Sequence, residues 1–312
     1  KNVPNISDRD ALIDILEILN CDVKLDEDVI KINTSNLKNA LIDEEHSKKL
    51  RASYYFMGAL LGKEKYVEIY IPGGCNIGDR PIDIHIDGFK ALGAEIKTEG
   101  NKYILKADKL IGTDIYLRFQ SVGATVNLMF ASVLAEGKTV IHNAAKEAEI
   151  ENIADYLISM GAKIEGAGTD EITIYGVDKL HGGNISVLPD RIEAGTYIIL
   201  GALVGKNLCI KNIIPKHLEA LTSKLKDMAS DITINEDNII ISKVDNLKPT
   251  NIKTLVYPGF PTDIGQPMAV LLTQANGTSL FEETIWENRM GHVPSLNKMG
   301  ANITVKGMTS IT

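Results

Sequence analysis

Residues 71–85 read Ile-Pro-Gly-Gly-Cys-Asn-Ile-Gly-Asp-Arg-Pro-Ile-Asp-Ile-His, and they continue a run of alternating apolar and polar residues that begins at Val67. This alternation is typical of a half-buried strand, which should stop at Pro72. Gly73 and Gly74 carry no Cβ, so the backbone there can swing or adopt positive φ. The stretch therefore predicts a strand that leads into an exposed, mobile loop.

A thiol and a guanidinium lie inside this loop. Cys75 precedes Arg80 by five positions, and Pro81 stiffens the exit. Two interpretations stay open from the spacing alone: a chemical site, or a surface turn with an incidental cysteine, because short motifs have many false positives.

The complete string, Pro-Gly-Gly-Cys-x-Ile-Gly-x-Arg-Pro-x-Asp-x-His, resembles the active-site loop of the UDP-N-acetylglucosamine 1-carboxyvinyltransferases. These enolpyruvyl transferases open peptidoglycan synthesis, and the resemblance runs through nearly all of the chain. It implies an α/β fold, a two-domain inside-out α/β barrel in which each domain holds three repeated βαβαββ-type units around buried helices. We expect residues 1–188 to form the domain with the Cys75 loop and residues 189–312 to form a second, similar but incomplete domain.

Bulk composition limits the class of protein. The chain has 312 residues, 44% of them hydrophobic, and a formal net charge of −8, which argues against a broad nucleic-acid surface. No apolar run approaches the roughly 18 residues of a membrane span, and the polar start lacks a signal peptide. These features predict a soluble, cytoplasmic protein without a membrane partner.

The three cysteines are Cys21, Cys75 and Cys209. Their odd number and wide separation indicate neither a disulfide framework nor a metal site, which fits a reducing cytoplasm. We expect Cys21 and Cys209 to be small buried hydrophobes.

Arginine is rare, and most of it lies near the motifs. Arginine grips phosphate and carboxylate with two parallel donors, whereas lysine suits a solvated surface. The distribution suggests a local cationic pocket for a small anion. The six arginines are Arg9, Arg51, Arg80, Arg118, Arg191 and Arg289.

The chain also repeats itself about every 70 residues, which suits a compact subdomain. Each repeat has a helix that ends in a small-residue turn before a strand, and a left-handed residue is usual at such a helix end. Five of the family's six units are present; its first strand and helix and its C-terminal segment are not, and Lys1 and Asn2 are not matched to the family's catalytic Lys-Asn pair. The turns are Asn20–Val23, Gly93–Ile96, Gly161–Ile164, Ala229–Ile232 and Gly300–Ile303.

The reaction implied by the resemblance joins phosphoenolpyruvate to a hydroxyl of UDP-N-acetylglucosamine and releases phosphate. It needs an acid for the enol methylene, a base for the hydroxyl and cations for the anionic groups. The resemblance makes Cys75 the acid, and also the site of adducts with phosphoenolpyruvate and with fosfomycin. It makes Arg80 the phosphate ligand, with a solvated loop charge as the alternative. It implies no metal, redox or organic cofactor.

Asp263, in Tyr257-Pro-Gly-Phe-Pro-Thr-Asp263, is the candidate for the base that the reaction implied by the resemblance needs. Two prolines and a glycine restrict the backbone before it. In the competing interpretation, Thr262 or Asp263 caps a helix predicted over residues 264–274. Both interpretations can hold together.

The resemblance also implies substrate contacts. Arg51 would touch the nucleotide sugar, with an ordinary helix-surface arginine as the alternative. Residues 119–122 would contact the nucleotide at a helix start where Ser121 is also a natural N-cap. The full set of predicted substrate contacts is Arg51, Arg80, Pro81, Ile82, Asp83, Ile84, Phe119, Gln120, Ser121, Val122, Asp263 and Ile285.

Three further positions are expected to serve structure. Asp190 should cap a helix, with Arg191 as a strut between domains, and His85 should make a structural hydrogen bond. Residues 287–289 could line the sugar or form an interdomain polar network.

Two alternatives to the main hypothesis remain at this stage. The shikimate-pathway enolpyruvyl transferase shares the fold but lacks the cysteine loop. A truncated or non-catalytic nucleotide-sugar-binding homologue is the second, and a chain without the family's end segments would turn over poorly.

Overall fold

The computed structural model describes residues 1–74 and 81–312. Among these, residues 1–74 and 81–185 form one compact unit and residues 186–312 form a second. Each unit has its own core of buried apolar side chains. This division lies three residues before the predicted boundary between residues 188 and 189, which stays a prediction.

The first repeat is a helix followed by a hairpin. Ile15 and Leu19 of its apolar stripe are fully buried, whereas Leu12 is 36% exposed. The two strands pair antiparallel. The elements are α1 (Ser7–Ile18), β1 (Asp22–Asp26) and β2 (Val29–Asn33).

The second repeat carries the strand predicted before Pro72. Its three strands form an antiparallel sheet in the order β3-β5-β4, and Val67 and Ile69 point into the core. A 3-10 turn at Arg51–Tyr54 lies between the first and second helices of this repeat. The elements are α2 (Glu44–Lys49), α3 (Tyr55–Glu64), β3 (Tyr66–Tyr70), α4 (Asp83–Ala91), β4 (Glu95–Glu99) and β5 (Lys102–Lys106).

The third repeat shows the βαβαββ unit most fully. Its sheet has the order β6-β7-β9-β8, with the first pair parallel and the others antiparallel. Its first helix is apolar nearly all round and nine of its 11 residues are buried, as expected of a central helix. The elements are β6 (Asp114–Tyr116), α5 (Val122–Ser132), β7 (Lys138–His142), α6 (Ala148–Ser159), β8 (Lys163–Glu165) and β9 (Glu171–Tyr175).

The second unit repeats the same pattern twice. Its sheets have the orders β10-β12-β11 and β13-β14-β16-β15, and the latter matches the third repeat strand for strand. Short 3-10 turns at Pro215–Leu218 and Thr262–Ile264 precede two of the helices. The elements are α7 (Arg191–Val204), β10 (Leu208–Lys211), α8 (Glu219–Asp227), β11 (Asp231–Ile234), β12 (Asn238–Ser242), β13 (Ile252–Lys253), α9 (Gly265–Leu272), β14 (Phe281–Glu282), α10 (Val293–Lys298), β15 (Val305–Lys306) and β16 (Ser310–Ile311).

The five predicted turns are confirmed as one recurring helix end. At the second, Gly93 N–H donates to the Lys90 carbonyl (2.9 Å) and Ala94 N–H donates to the Phe89 carbonyl (3.0 Å), which is a Schellman motif. The same pair of bonds closes the other four helices. The first residue of every turn has positive φ: Asn20 (60°), Gly93 (97°), Gly161 (99°), Ala229 (60°) and Gly300 (98°).

The central helices α3 and α5 cross at glycine. A Cβ at Gly58 would lie 2.2 Å from the backbone oxygen of Asn127, and one at Gly62 would lie 2.7 Å from that of Phe130. Only glycine permits this approach, so the sequence of α3 sets how closely the two helices pack.

The two described cysteines differ in burial. Cys21 is buried, as predicted, but Cys209 is exposed, so that part of the prediction is wrong. Side chains alternate across a strand, and in β10 the flanking Leu208 and Ile210 are the half-buried residues. Cys209 therefore points to the opposite face.

Candidate active site

The chain is held at Gly73 just before the cysteine loop. Gly73 N–H donates to the Ser47 carbonyl (3.0 Å), and a Cβ at this position would lie 2.1 Å from the carbonyl oxygen of Lys48. Gly73 thus serves a close backbone contact, whereas Gly74 has the positive φ, 151°. The predicted acid Cys75 and phosphate ligand Arg80 lie outside the described residues.

Arg51 binds the base of this loop. Its Nη1 donates to the carbonyls of Pro72 (3.3 Å) and Gly73 (3.2 Å), and its Cζ lies 5.3 Å from the centre of the Tyr54 ring. Arg51 is half-buried, so it is not a solvated helix-surface arginine. Its contact with a nucleotide sugar stays a prediction.

The predicted substrate contacts at the start of α4 differ in how deeply they are buried. Ile82 and Ile84 are each 5% exposed and pack in the core of the first unit, and their contact with a substrate stays a prediction. Pro81 is exposed and Asp83 is half-buried. The Asp83 carboxylate forms an ion pair with Arg118.

Ser121 caps α5, as predicted. Its Oγ accepts a hydrogen bond from Ala124 N–H (3.2 Å). Phe119 beside it is 51% exposed, and Gln120 and Val122 are half-buried. These residues form the surface around the N-terminus of α5, and their nucleotide contact stays a prediction.

His85 makes the structural hydrogen bond that was expected. The Asn127 side-chain amide donates to His85 Nδ1 (2.9 Å) and to the Tyr54 carbonyl (3.1 Å), and its oxygen accepts from Gly58 N–H (2.8 Å). Burial, with a smaller contribution from the charge of Arg51, lowers the pKa of His85 to about 4. His85 is therefore neutral at pH 7, with its proton on Nε2.

The start of α5 lies on the rings of Tyr54 and His85. Their centroids are 5.1 Å apart, and a Cβ at Gly123 would come within 2.8 Å of the Tyr54 hydroxyl and 3.0 Å of His85 Cε1. The first unit therefore gathers Arg51, the start of α4 and the start of α5 into one cluster.

Neither Thr262 nor Asp263 caps the helix that follows, so that interpretation is wrong. Helix α9 begins at Gly265 with Ile264 at the N-cap position, after the 3-10 turn. The Asp263 Oδ1 lies 2.6 Å from Arg289 Nη2, and the Thr262 hydroxyl donates to Glu283 Oε2 (2.7 Å). Both side chains are thus bound by polar groups of neighbouring segments.

Ile285 is held by the same glutamate. Glu283 is 2% exposed, and its Oε1 accepts from the N–H groups of Ile285 (2.7 Å) and Trp286 (3.1 Å). Arg289 Nη1 also reaches the Thr262 carbonyl (3.3 Å). Asp263 and Ile285, which are far apart in sequence, therefore lie in one network of the second unit.

Asp190 caps α7 as predicted, since its Oδ1 accepts from the N–H groups of Ile192 (2.8 Å) and Glu193 (3.1 Å). Arg191 lies over the ring of Tyr257, with its Cζ 5.4 Å from the centroid. Its role as a strut between domains stays a prediction.

Sequence patterns did not single out Tyr54, Asn127 or Glu283. Tyr54 and Asn127 could not be recognised because their contacts join the segment at residues 51–58, α4 and α5, which only the fold brings together. Glu283 left no signal in the sequence pattern, because it follows a strand of only two residues, too short for an alternation of buried and exposed positions to be recognised.

Within residues 1–74 and 81–312, no group of three or more His, Cys, Asp and Glu side chains is placed to hold a metal ion. Over those same residues, no helix combines the length and the apolar character required to cross a bilayer.

The fold and much of the sequence match known proteins. The enolpyruvyl transferase NikO from Streptomyces tendae has the same fold, with a TM-score of 0.86 at 20% identity over 99% of this chain and 74% of that one. The model of the EPSP synthase (3-phosphoshikimate 1-carboxyvinyltransferase) family matches residues 1–312. The fold class is therefore confirmed: this is an α/β protein with the enolpyruvyl transferase fold.

Sequence similarity identifies the family to which the chain belongs within this fold class. The chain is 53% identical over 310 residues to the UDP-N-acetylglucosamine 1-carboxyvinyltransferase 2 of Clostridium acetobutylicum, covering 99% of this chain and 74% of the relative. It is 50% identical over 312 residues to the UDP-N-acetylglucosamine 1-carboxyvinyltransferase of Clostridium botulinum, covering 100% and 75%. The chain belongs to the UDP-N-acetylglucosamine 1-carboxyvinyltransferase family.

Proposed function

We propose that this chain transfers the enolpyruvyl group of phosphoenolpyruvate to the 3-hydroxyl of UDP-N-acetylglucosamine and releases phosphate. The observation that carries the proposal is the 53% identity over 310 residues to a relative named for this activity. The enzyme is a transferase that takes two small-molecule substrates, and the proposal includes no cofactor and no nucleic-acid or membrane partner. We place it in the cytoplasm, at the first committed step of peptidoglycan synthesis.

Each proposed role follows from the chemistry of addition and elimination. The Cys75 thiol gives a proton to the enol methylene while Asp263 takes the proton of the sugar hydroxyl, whose oxygen bonds to C2. The C2–O bond to phosphate then breaks, and phosphate leaves with the bonding electrons and takes up the proton held by Asp263. The new methyl group returns a proton to the Cys75 thiolate, which restores the double bond. Arg80 stabilises the phosphate as a two-pronged donor.

The geometry of the described residues supports these roles in two places. In the second unit, Arg289 and Glu283 hold the turn of Asp263 and the backbone of Ile285. In the first unit, the Arg51 cluster borders the base of the Cys75 loop. The proposal assigns both sets of residues to one reaction, with domains at residues 1–188 and 189–312.

Phosphate release tests the proposal. The chain is mixed with phosphoenolpyruvate and either UDP-N-acetylglucosamine or shikimate 3-phosphate. We expect release only with the nucleotide sugar. Release with the shikimate ester would support the other branch of the fold, and calorimetric binding of the nucleotide sugar without any release would support a non-catalytic binding protein.

A further inference from the structure

The buried carboxylate of Glu283 joins three segments of the second unit. Its Oε1 accepts from the Thr254 hydroxyl (2.9 Å) and from the N–H groups of Ile285 (2.7 Å) and Trp286 (3.1 Å). Its Oε2 accepts from the Thr262 hydroxyl (2.7 Å). All four donors are neutral groups.

Burial makes these bonds interdependent. A carboxylate that is 2% exposed is unfavourable unless its oxygens accept hydrogen bonds. Here the donors come from the end of β13, from the turn before α9 and from the turn after β14. Because no single segment satisfies both oxygens, the carboxylate is fully hydrogen-bonded only when all three lie in place.

The turn that bears Asp263 is held from two sides. Glu283 binds the hydroxyl of Thr262, the residue immediately before Asp263. Arg289 binds the carbonyl of Thr262 (3.3 Å), the side chain of Gln266 (3.4 Å) and the carboxylate of Asp263 (2.6 Å). The position of the Asp263 carboxylate therefore depends on the Thr262 side chain as well as on its own ion pair.

We propose that Glu283 is a positioning residue for enolpyruvyl transfer, which sets Asp263 through Thr262 and sets Ile285 through its backbone N–H. The role rests on the proposed function, in which Asp263 is the base and Ile285 contacts the sugar. Glu283 touches neither substrate. It holds Asp263, the base, and Ile285, the sugar contact, at fixed positions relative to each other.

Substitution at Thr262 isolates the link to Asp263. Thr262→Val keeps the branched shape and deletes the hydroxyl, whereas Thr262→Ser keeps the hydroxyl. We expect Thr262→Val to lower kcat for phosphate release about tenfold to hundredfold, because small misplacements of a reacting group are costly. The KM for phosphoenolpyruvate should stay unchanged, and Thr262→Ser should restore kcat.

Substitution at Glu283 removes both links. Glu283→Ala should lower kcat and also raise the KM for UDP-N-acetylglucosamine, since the Ile285 contact is released as well. Glu283→Gln should bring kcat and the KM for UDP-N-acetylglucosamine much of the way back to the parent values. Its amide oxygen can accept hydrogen bonds, and its amide nitrogen can donate to the Thr262 hydroxyl. The control is Glu282→Gln, on the neighbouring residue, whose carboxylate pairs with Lys253 (3.0 Å).

The possible outcomes distinguish a failure of the proposed function from a failure of the role of Glu283. A parent chain without any turnover overturns the proposed function, and the role of Glu283 falls with it. An active parent whose Thr262→Val and Glu283→Ala variants behave like Glu282→Gln overturns the role of Glu283 alone. Should Glu283→Ala fail to fold, the comparison of Thr262→Val with Thr262→Ser still decides.

Discussion

The guanidinium of Arg289 lies 2.6 Å from the carboxylate of Asp263, yet the two side chains differ in exposure, 13% for Arg289 and 57% for Asp263. The buried partner is the cation, and its other nitrogen is anchored on Thr262 and Gln266. The fixed arginine thus determines where the exposed carboxylate lies. A general base needs this kind of defined position before its basicity matters.

Removing the Asp263 charge tests its role as the base. Asp263→Asn keeps the shape but cannot accept the hydroxyl proton, so we expect kcat for phosphate release to fall about 10²- to 10⁴-fold. The control is Asp190→Asn, because asparagine caps a helix as well as aspartate does. Equal activity of the two variants would exclude Asp263 as the base.

Replacing Arg289 tests whether its shape, in addition to its charge, positions the Asp263 carboxylate. Arg289→Lys keeps the positive charge but loses the planar fork that binds three groups at once, so kcat should fall about tenfold or more through misplacement of Asp263. Arg9→Lys is the matched control, since Arg9 is 12% exposed and pairs with Asp10 at 2.7 Å in the first unit. A parent-like Arg289→Lys would show that charge alone suffices there.

The lowered pKa of His85 predicts that the protein loses stability in mild acid. Its pKa is about 4 in the folded protein and about 6.5 in the unfolded chain. Between these values the unfolded state binds more protons, so the free energy of unfolding falls as pH falls, by about 1.4 kcal/mol per pH unit from this residue. Its full contribution is present above about pH 6.5.

Urea denaturation from pH 7 to pH 4 measures this slope. We expect His85→Gln to flatten the dependence, while His181→Gln, which replaces an exposed histidine, should leave it as in the parent. Parallel curves for all three proteins would contradict the assignment to His85.

Fosfomycin should label Cys75 selectively. We expect one adduct mass on the intact chain and its location on the Cys75 peptide. Cys21 should stay unmodified because it is buried and burial raises the pKa of its thiol. Cys209 is an internal control, because an adduct there would show that exposure alone governs the reaction.

Local patterns predicted the repeats well. The strand that ends before Pro72 and the five helix ends follow from alternation and from turn residues close in sequence. Even where Asn20 and Ala229 replace glycine, the flanking helix and strand impose the left-handed conformation. These features depend on neighbours along the chain, which a sequence displays.

The polar network of the second unit could not be predicted in the same way. Thr262 and Asp263 have the composition of a helix cap, but Glu283 binds the Thr262 side chain from 21 residues away and Arg289 binds the Asp263 side chain from 26 residues away. β14 has only two residues, too few for alternation to identify Glu283 as buried. Contacts between distant segments decide such positions.

The most direct test of the central claim is the product itself. The chain is incubated with phosphoenolpyruvate and UDP-N-acetylglucosamine, and mass spectrometry follows the nucleotide sugar while phosphate is quantified. We predict that the sugar gains one enolpyruvyl group for each phosphate released, and that Asp263→Asn abolishes both signals together. Phosphate without the modified sugar, or an unchanged yield from Asp263→Asn, would contradict the account.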